Sequence, residues 1–278
     1  MSKARKGVMG GGPTQGISGI WPATKPLIGM VHLLPLPGAP RWDGSMSAVL
    51  DRAERDATVL QDAGFHGVLV ENFLDAPFFA QSVPAETVAA LTAAVLRVVD
   101  SVSLPVGVNV LRNDAAAALA IAGATGASFM RVNVHTGSMY TDQGLIEGQA
   151  AATLRRRADL GLGVRILADV HVKHASPPPG STLGTSAADT WHRGLADALV
   201  VSGSATGQGT NADHLREMRR AVPDATLLVG SGLGSDTVPE LLELADGAIV
   251  GTSVMNERRP GTGIDPDRAA AFIEAVRG

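Results

Sequence analysis

Val68-Leu69-Val70-Glu71-Asn72 is an unbroken apolar run that ends abruptly on a carboxylate and a carboxamide. With no polar residue alternating along it, the run suits a strand buried on both faces, as in a parallel sheet covered by helices. The same unit recurs along the chain. Strands are expected at 27–33, 68–72, 106–111, 129–134, 165–170, 198–202, 226–230 and 247–250, each followed by a glycine or polar turn and a stretch of helical period. Eight such units in series close naturally on themselves, so the predicted fold is α/β, a single (β/α)8 TIM barrel over 25–278. Residues 1–24, basic at the start and then rich in Gly and Ser, are expected to form a flexible N-terminal arm. A doubly wound open sheet is the alternative, but no Gly-x-Gly-x-x-Gly turn follows the first strand.

Helix signals agree with the rhythm. Ser47 begins a helix that ends near Gly64, Asp114 precedes an alanine-rich helix ending at Gly123, and Asp236 opens another over 237–244.

Composition narrows the classes of function. The chain has 278 residues, 45% hydrophobic and 18% charged, with 33 glycines, a balance that supports a packed core joined by tight turns. A formal net charge of -4 gives no general attraction to nucleic acid or to an anionic membrane. No run approaches the ~20 apolar residues of a membrane span. The absence of cysteine removes disulfides, thiolate nucleophiles and thiolate-bound zinc, and fits a cytoplasmic protein. Small molecules are the expected partners, and pairing of copies through the outer helices is an open option.

The polar residues lie late in the strands or just beyond them: His32, Glu71, Asn72, Asn109, Arg131, Asn133, Asp169, His171, Lys173 and Ser202. In a parallel barrel these ends form one mouth, where catalytic residues collect. Within Asp169-Val170-His171-Val172-Lys173, strand alternation sends residues 169, 171 and 173 to one side for as long as the chain stays extended. Asp169 and His171 are therefore candidates for proton shuttling, and Lys173 for stabilising negative charge or, with a lowered pKa, forming a Schiff base. The plainer reading has Asp169 and His171 capping the interior while Lys173 is solvated. Glu71 is a second candidate base, or else the buried partner of Arg131. His32, Asn109, Arg131, Asn133 and Ser202 are candidates for substrate binding. No cofactor is expected. A divalent metal held by His32, Glu71, Asp169 and His171 stays open, although no His-x-His or His-Glu-x-x-His spacing supports it.

Glycine turns follow the last strands, in Val229-Gly230-Ser231-Gly232-Leu233-Gly234 and Val250-Gly251-Thr252-Ser253. Barrels often hold a phosphate there, because glycines let backbone N–H groups approach an anion. Ser231, Gly232, Gly251 and Thr252 are the candidates, with Gly203 and Ser204 of Ser202-Gly203-Ser204-Ala205-Thr206-Gly207 extending the cradle. Three long loops, 135–148, 174–189 and 256–265, are candidates for lids. The run Arg155-Arg156-Arg157 reads as a solvated helix face.

Several strings resemble the BtpA family: Ile28-Gly29-Met30-Val31-His32-Leu33, Val70-Glu71-Asn72-Phe73, Val106-Gly107-Val108-Asn109-Val110-Leu111-Arg112-Asn113-Asp114, Arg131-Val132-Asn133-Val134, Thr141-Asp142-Gln143-Gly144, Leu167-Ala168-Asp169-Val170-His171-Val172-Lys173-His174 and the turns at 202–207 and 250–253. The similarity spans about residues 25–275. It implies a barrel related to ribulose-phosphate-binding enzymes, in a family named for photosystem I biogenesis with members in sugar-utilisation operons. The expected activity is acid/base chemistry on a phosphorylated sugar or nucleotide-like molecule, as isomerase, lyase or glycosyl transferase. A non-catalytic assembly factor and a metal-dependent hydrolase are the alternatives. Family members commonly carry a lysine two residues after the last Gly-Thr-Ser, where this chain has Met255, a departure that puts the ligand in question. High alanine and arginine content suggests a GC-rich bacterial source.

Overall fold

A computed structural model describes residues 16–22, 25–202, 212–230, 232–234 and 237–277. Eight parallel strands close a barrel: β1 (Leu27–His32), β2 (Gly67–Glu71), β3 (Val106–Asn109), β4 (Phe129–Val132), β7 (Arg165–Val170), β9 (Ala198–Val201), β10 (Leu227–Val229) and β11 (Gly247–Val250). Each expected strand is present, shortened at its end by up to two residues. Neighbours pair in chain order and β11 returns to β1, pairing Leu27 with Ala248. Helices α1 (Met46–Ala63), α2 (Ala85–Ser101), α3 (Ala115–Thr125), α4 (Ala150–Asp159), α5 (Leu183–Ala188), α6 (Ala212–Ala221), α7 (Val238–Leu244) and α8 (Pro266–Arg277) connect them.

The caps explain the helix limits. Ser45 Oγ accepts from the Ala48 N–H to open α1, and Gly64, left-handed at φ 97°, ends it. Asp114 opens α3 by accepting from the Ala117 N–H. That helix runs through Gly123 to a left-handed cap at Gly126, three residues beyond expectation, because only Gly126 satisfies the capping geometry. Asp236 lies outside the described residues.

Residues 16–22 pack against the barrel instead of extending from it, which shortens the expected arm. Trp21 is buried, donates from Nε1 to the His66 carbonyl at 2.6 Å and meets Phe129 edge to face at 5.1 Å. Side chains on Gly67 and Gly107 would occupy the positions of these rings, with a Cβ at Gly107 only 2.1 Å from Phe129. The two rings thus plug the end of the barrel opposite the mouth.

All three expected loops carry structure, and 174–189 holds α5. Residues 135–148 form a hairpin, β5 (Ser138–Thr141) with β6 (Gly144–Glu147), and β8 (Ala175–Ser176) adds a third strand to it. Met139 and Ile146 pack under this flap against Val134 and Val172, each two residues beyond the end of β4 or β7. In 256–265, Met255 bridges to Ile264, and the Asn256 amide donates to the Thr262 and Gly263 carbonyls. Arg157, expected on a solvated face, reaches Asp197 at 2.8 Å. Among the described residues, no helix is long and apolar enough to cross a membrane.

Candidate functional site

Register sets the first row of the site. His32 pairs with Glu71 and Glu71 with Asn109, so three polar side chains stand abreast at the ends of β1, β2 and β3. Asn109 Nδ2 donates to Glu71 Oε2 at 2.5 Å, and His32 Nε2 lies 3.6 Å from Glu71 Oε1. The His32 ring stacks on Phe73, and its Nδ1 accepts from the Gly261 N–H at 3.2 Å. That bond places the imidazole proton on Nε2, directed at Glu71. Burial, reinforced by Lys173, Arg131 and Arg52, lowers the His32 pKa to about 3, so the ring is neutral. Asn72 is structural: its amide brackets the backbone of Leu111.

Across the barrel stands an ion pair. Arg131 donates to Asp169 through Nε at 3.1 Å and through Nη2 at 2.9 Å, and Asn133 Nδ2 donates to the same carboxylate at 2.7 Å. Ser202 Oγ adds a bond at 3.4 Å. Burial opposes the Arg131 charge, but Asp169 and Glu71 more than compensate and raise its pKa. With its oxygens engaged by three side chains, Asp169 orients Arg131. Arg131 also takes Asp169, not Glu71, as its bonded partner.

The expected convergence of 169, 171 and 173 fails because β7 ends at Val170. His171 takes a left-handed φ of 53°, which breaks the alternation, and its Nε2 lies 3.0 Å from Ser186 Oγ on α5. His171 lines a side cavity under the flap, with Asn133, Asp169, Thr136 and Ser186. Burial lowers its pKa, opposed by Glu217. Lys173 alone returns to the mouth.

Two lobes share the wall Glu71, Phe73, Arg131 and Lys173. The inner lobe is completed by Met30, His32, Gly230, Gly232, Leu233, Gly251, Thr252 and Ser253, which brings the glycine turns beside the polar row. Gly232 adopts φ 69°, a conformation other residues resist. Gly203, Ser204 and Ser231 lie outside the described residues. The outer lobe, about 460 Å³, adds Arg41, Arg112, Asn133, His174 and Pro260. Arg112 joins the site from three residues beyond the end of β3, a position that the expected strand over 106–111 does not mark as part of the mouth. The available signal is a charged residue directly after apolar residues, Val110-Leu111 before Arg112 as Val68-Leu69-Val70 before Glu71. Met255 is buried in the main core and lines neither lobe.

Glu71 and Lys173 have displaced proton affinities. Burial raises the Glu71 pKa, offset only in part by Arg131, Asn109 and Lys173. Burial, aided by Arg131, lowers that of Lys173 to about 8 despite the attraction of Asp169 and Glu71. The two shifts run toward each other, which favours the exchange of a proton at one site. The metal candidates His32, Glu71, Asp169 and His171 are not gathered into one ligand set. The Asp169 oxygens are bonded to Arg131, Asn133 and Ser202, His171 faces Ser186, and among the described residues no three His, Asp or Glu side chains cluster as ligands.

The model of the BtpA family matches residues 23–278. Photosystem I biogenesis protein BtpA of Synechocystis is 49% identical over 251 residues, covering 90% of this chain and 88% of the relative. The uncharacterized protein TK2179 of the archaeon Thermococcus kodakarensis is 46% identical, covering 91% and 95%. Relatives therefore span bacteria and archaea, and the composition does not fix a bacterial source. Among solved structures, thiamine phosphate pyrophosphorylase from Pyrococcus furiosus superimposes with a TM-score of 0.58 at 11% identity, covering 91% of this chain and 95% of that one, a likeness of fold alone.

Proposed function

The chain belongs to the BtpA family, and from that premise we propose that it is an enzyme acting by acid/base chemistry on a small phosphorylated sugar or nucleotide-like molecule. The phosphate would lie against the glycine turns after β10 and β11, and Lys173 and Glu71 would exchange protons with the reacting carbon skeleton. His32 would donate from Nε2, and Arg131, held rigid by Asp169, would stabilise developing negative charge. Isomerase, lyase and glycosyl-transferase reactions all need these parts. The observation that carries the reading is the shared wall: a lysine with its pKa drawn to about 8 and a buried glutamate face both lobes beside the glycine turns.

Product formation, followed by NMR for compounds that stabilise the protein, tests the assignment. Lys173→Met and Glu71→Gln should each lower turnover by about 10²-fold or more while ligand-induced stabilisation persists. Full turnover in both variants would overturn it. The name of the Synechocystis relative favours a second reading, a non-catalytic assembly factor. That reading expects a protein partner and indifference to phosphate compounds.

A further inference from the structure

Arg112 is a buried cation with no ion-pair partner among the described residues. It is 8% exposed, and its Nη2 donates to the Lys173 carbonyl at 2.5 Å. Among the described residues, no carboxylate oxygen lies within 4.0 Å of its guanidinium, in contrast to Arg131, whose fork is filled by Asp169. Burying a full charge whose direct partner is a neutral carbonyl, with Asp169, Asp142 and Glu71 attracting it only from beyond 4.0 Å, is costly unless a ligand completes the set. The outer lobe offers the room, since Arg112 lines it together with Arg41, Arg131 and Lys173. Arg131 is neutralised by its partner, so the facing carboxylate Glu71 is outnumbered by Arg41, Arg112 and Lys173.

We propose that Arg112 anchors a second oxyanion site in the outer lobe, so that the ligand carries a phosphate at one end and a carboxylate or second phosphate at the other, with its reacting carbons between them against Lys173 and Glu71. A guanidinium fork matches both kinds of oxyanion. This inference rests on the reading of the inner lobe as the phosphate site, and the two fail separately.

Isothermal titration of the full chain separates them. The probes are glycerol 3-phosphate with one oxyanion, 3-phosphoglycerate with a phosphate and a carboxylate, and ribulose 1,5-bisphosphate with two phosphates. At least one two-anion probe should bind tenfold or more tighter than glycerol 3-phosphate, and which one does so identifies the second group. Arg112→Gln, which keeps a donor for the Lys173 carbonyl, should collapse that ratio to near one without weakening glycerol 3-phosphate. Arg112→Lys should restore part of it. A ratio near one in the wild type, or one that survives in Arg112→Gln, overturns the second site while leaving the first. Two-anion binding that depends on Arg112 without any glycerol 3-phosphate binding upholds the second site and removes the first, and no binding by any probe removes both.

Discussion

Asp169→Ala strips the Arg131 guanidinium of its bidentate partner and leaves that charge, 8% exposed, facing the hydroxyl of Ser202. Breaking a buried pair from one side costs about 3–5 kcal/mol, several times the worth of an exposed pair. A chain of this size loses roughly 2–4 °C of melting temperature per kcal/mol, so the variant should melt roughly 6–20 °C below the wild type. Chemical denaturation followed by circular dichroism supplies the free energy, and Arg131→Met with the double variant completes a cycle. The double variant should be more stable than Asp169→Ala alone, because it no longer buries an unpaired charge. A loss below about 1 kcal/mol in Asp169→Ala, with no coupling in the cycle, would refute the orienting role.

Two further expectations concern charge. Lys173 has a folded pKa lowered to about 8 from 10.5, so the unfolded chain binds the extra proton between those values and stability rises with pH across them. Lys173→Met should therefore be more stable than the wild type below pH 8, with the advantage fading by pH 10.5, and a constant difference at all pH values would contradict the desolvation of Lys173. For His32, lowered to about 3 from 6.5, the unfolded chain again binds the proton first, and stability falls as pH drops through that window. Nitrogen NMR of the ring should show a neutral Nε2–H tautomer at pH 5, whereas titration near 6.5 would place His32 in water.

The barrel was legible because each strand is an apolar run, and runs such as Val68-Leu69-Val70 and Ala198-Leu199-Val200-Val201 admit few other environments. The hairpin was not legible. It buries only Met139 and Ile146, and leaves Tyr140 and Leu145 exposed, so its pattern is that of a polar loop. Membership of the site followed from position at a strand end, which placed His32, Glu71, Asn109, Arg131 and Lys173 at one mouth. Roles did not follow, because they depend on backbone geometry beyond the strand. A single left-handed residue at His171 turns the imidazole toward α5 and lets Lys173 come back. Partner choice is equally silent in sequence: Arg131 had Glu71 and Asp169 within its reach, and only the packed barrel makes the bidentate pair with Asp169. Burial of Trp21 was hidden by its setting in a Gly- and Ser-rich stretch that reads as arm.

The most direct test is a melting screen of the purified protein against sugar phosphates, nucleotides, their dephosphorylated counterparts and inorganic phosphate, run in parallel on Gly232→Asp. A ligand bound only by the folded state raises the melting temperature by mass action, by about 2.7 kcal/mol of stability at a hundredfold excess over Kd. Gly232 lines the inner lobe at φ 69°, and an aspartate there sets a carboxylate against any phosphate. A phosphate site in the inner lobe predicts stabilisation by at least one phosphorylated compound, none by its dephosphorylated form, and loss of the effect in Gly232→Asp. No shift with any phosphorylated compound, or equal shifts in the wild type and Gly232→Asp, would contradict it.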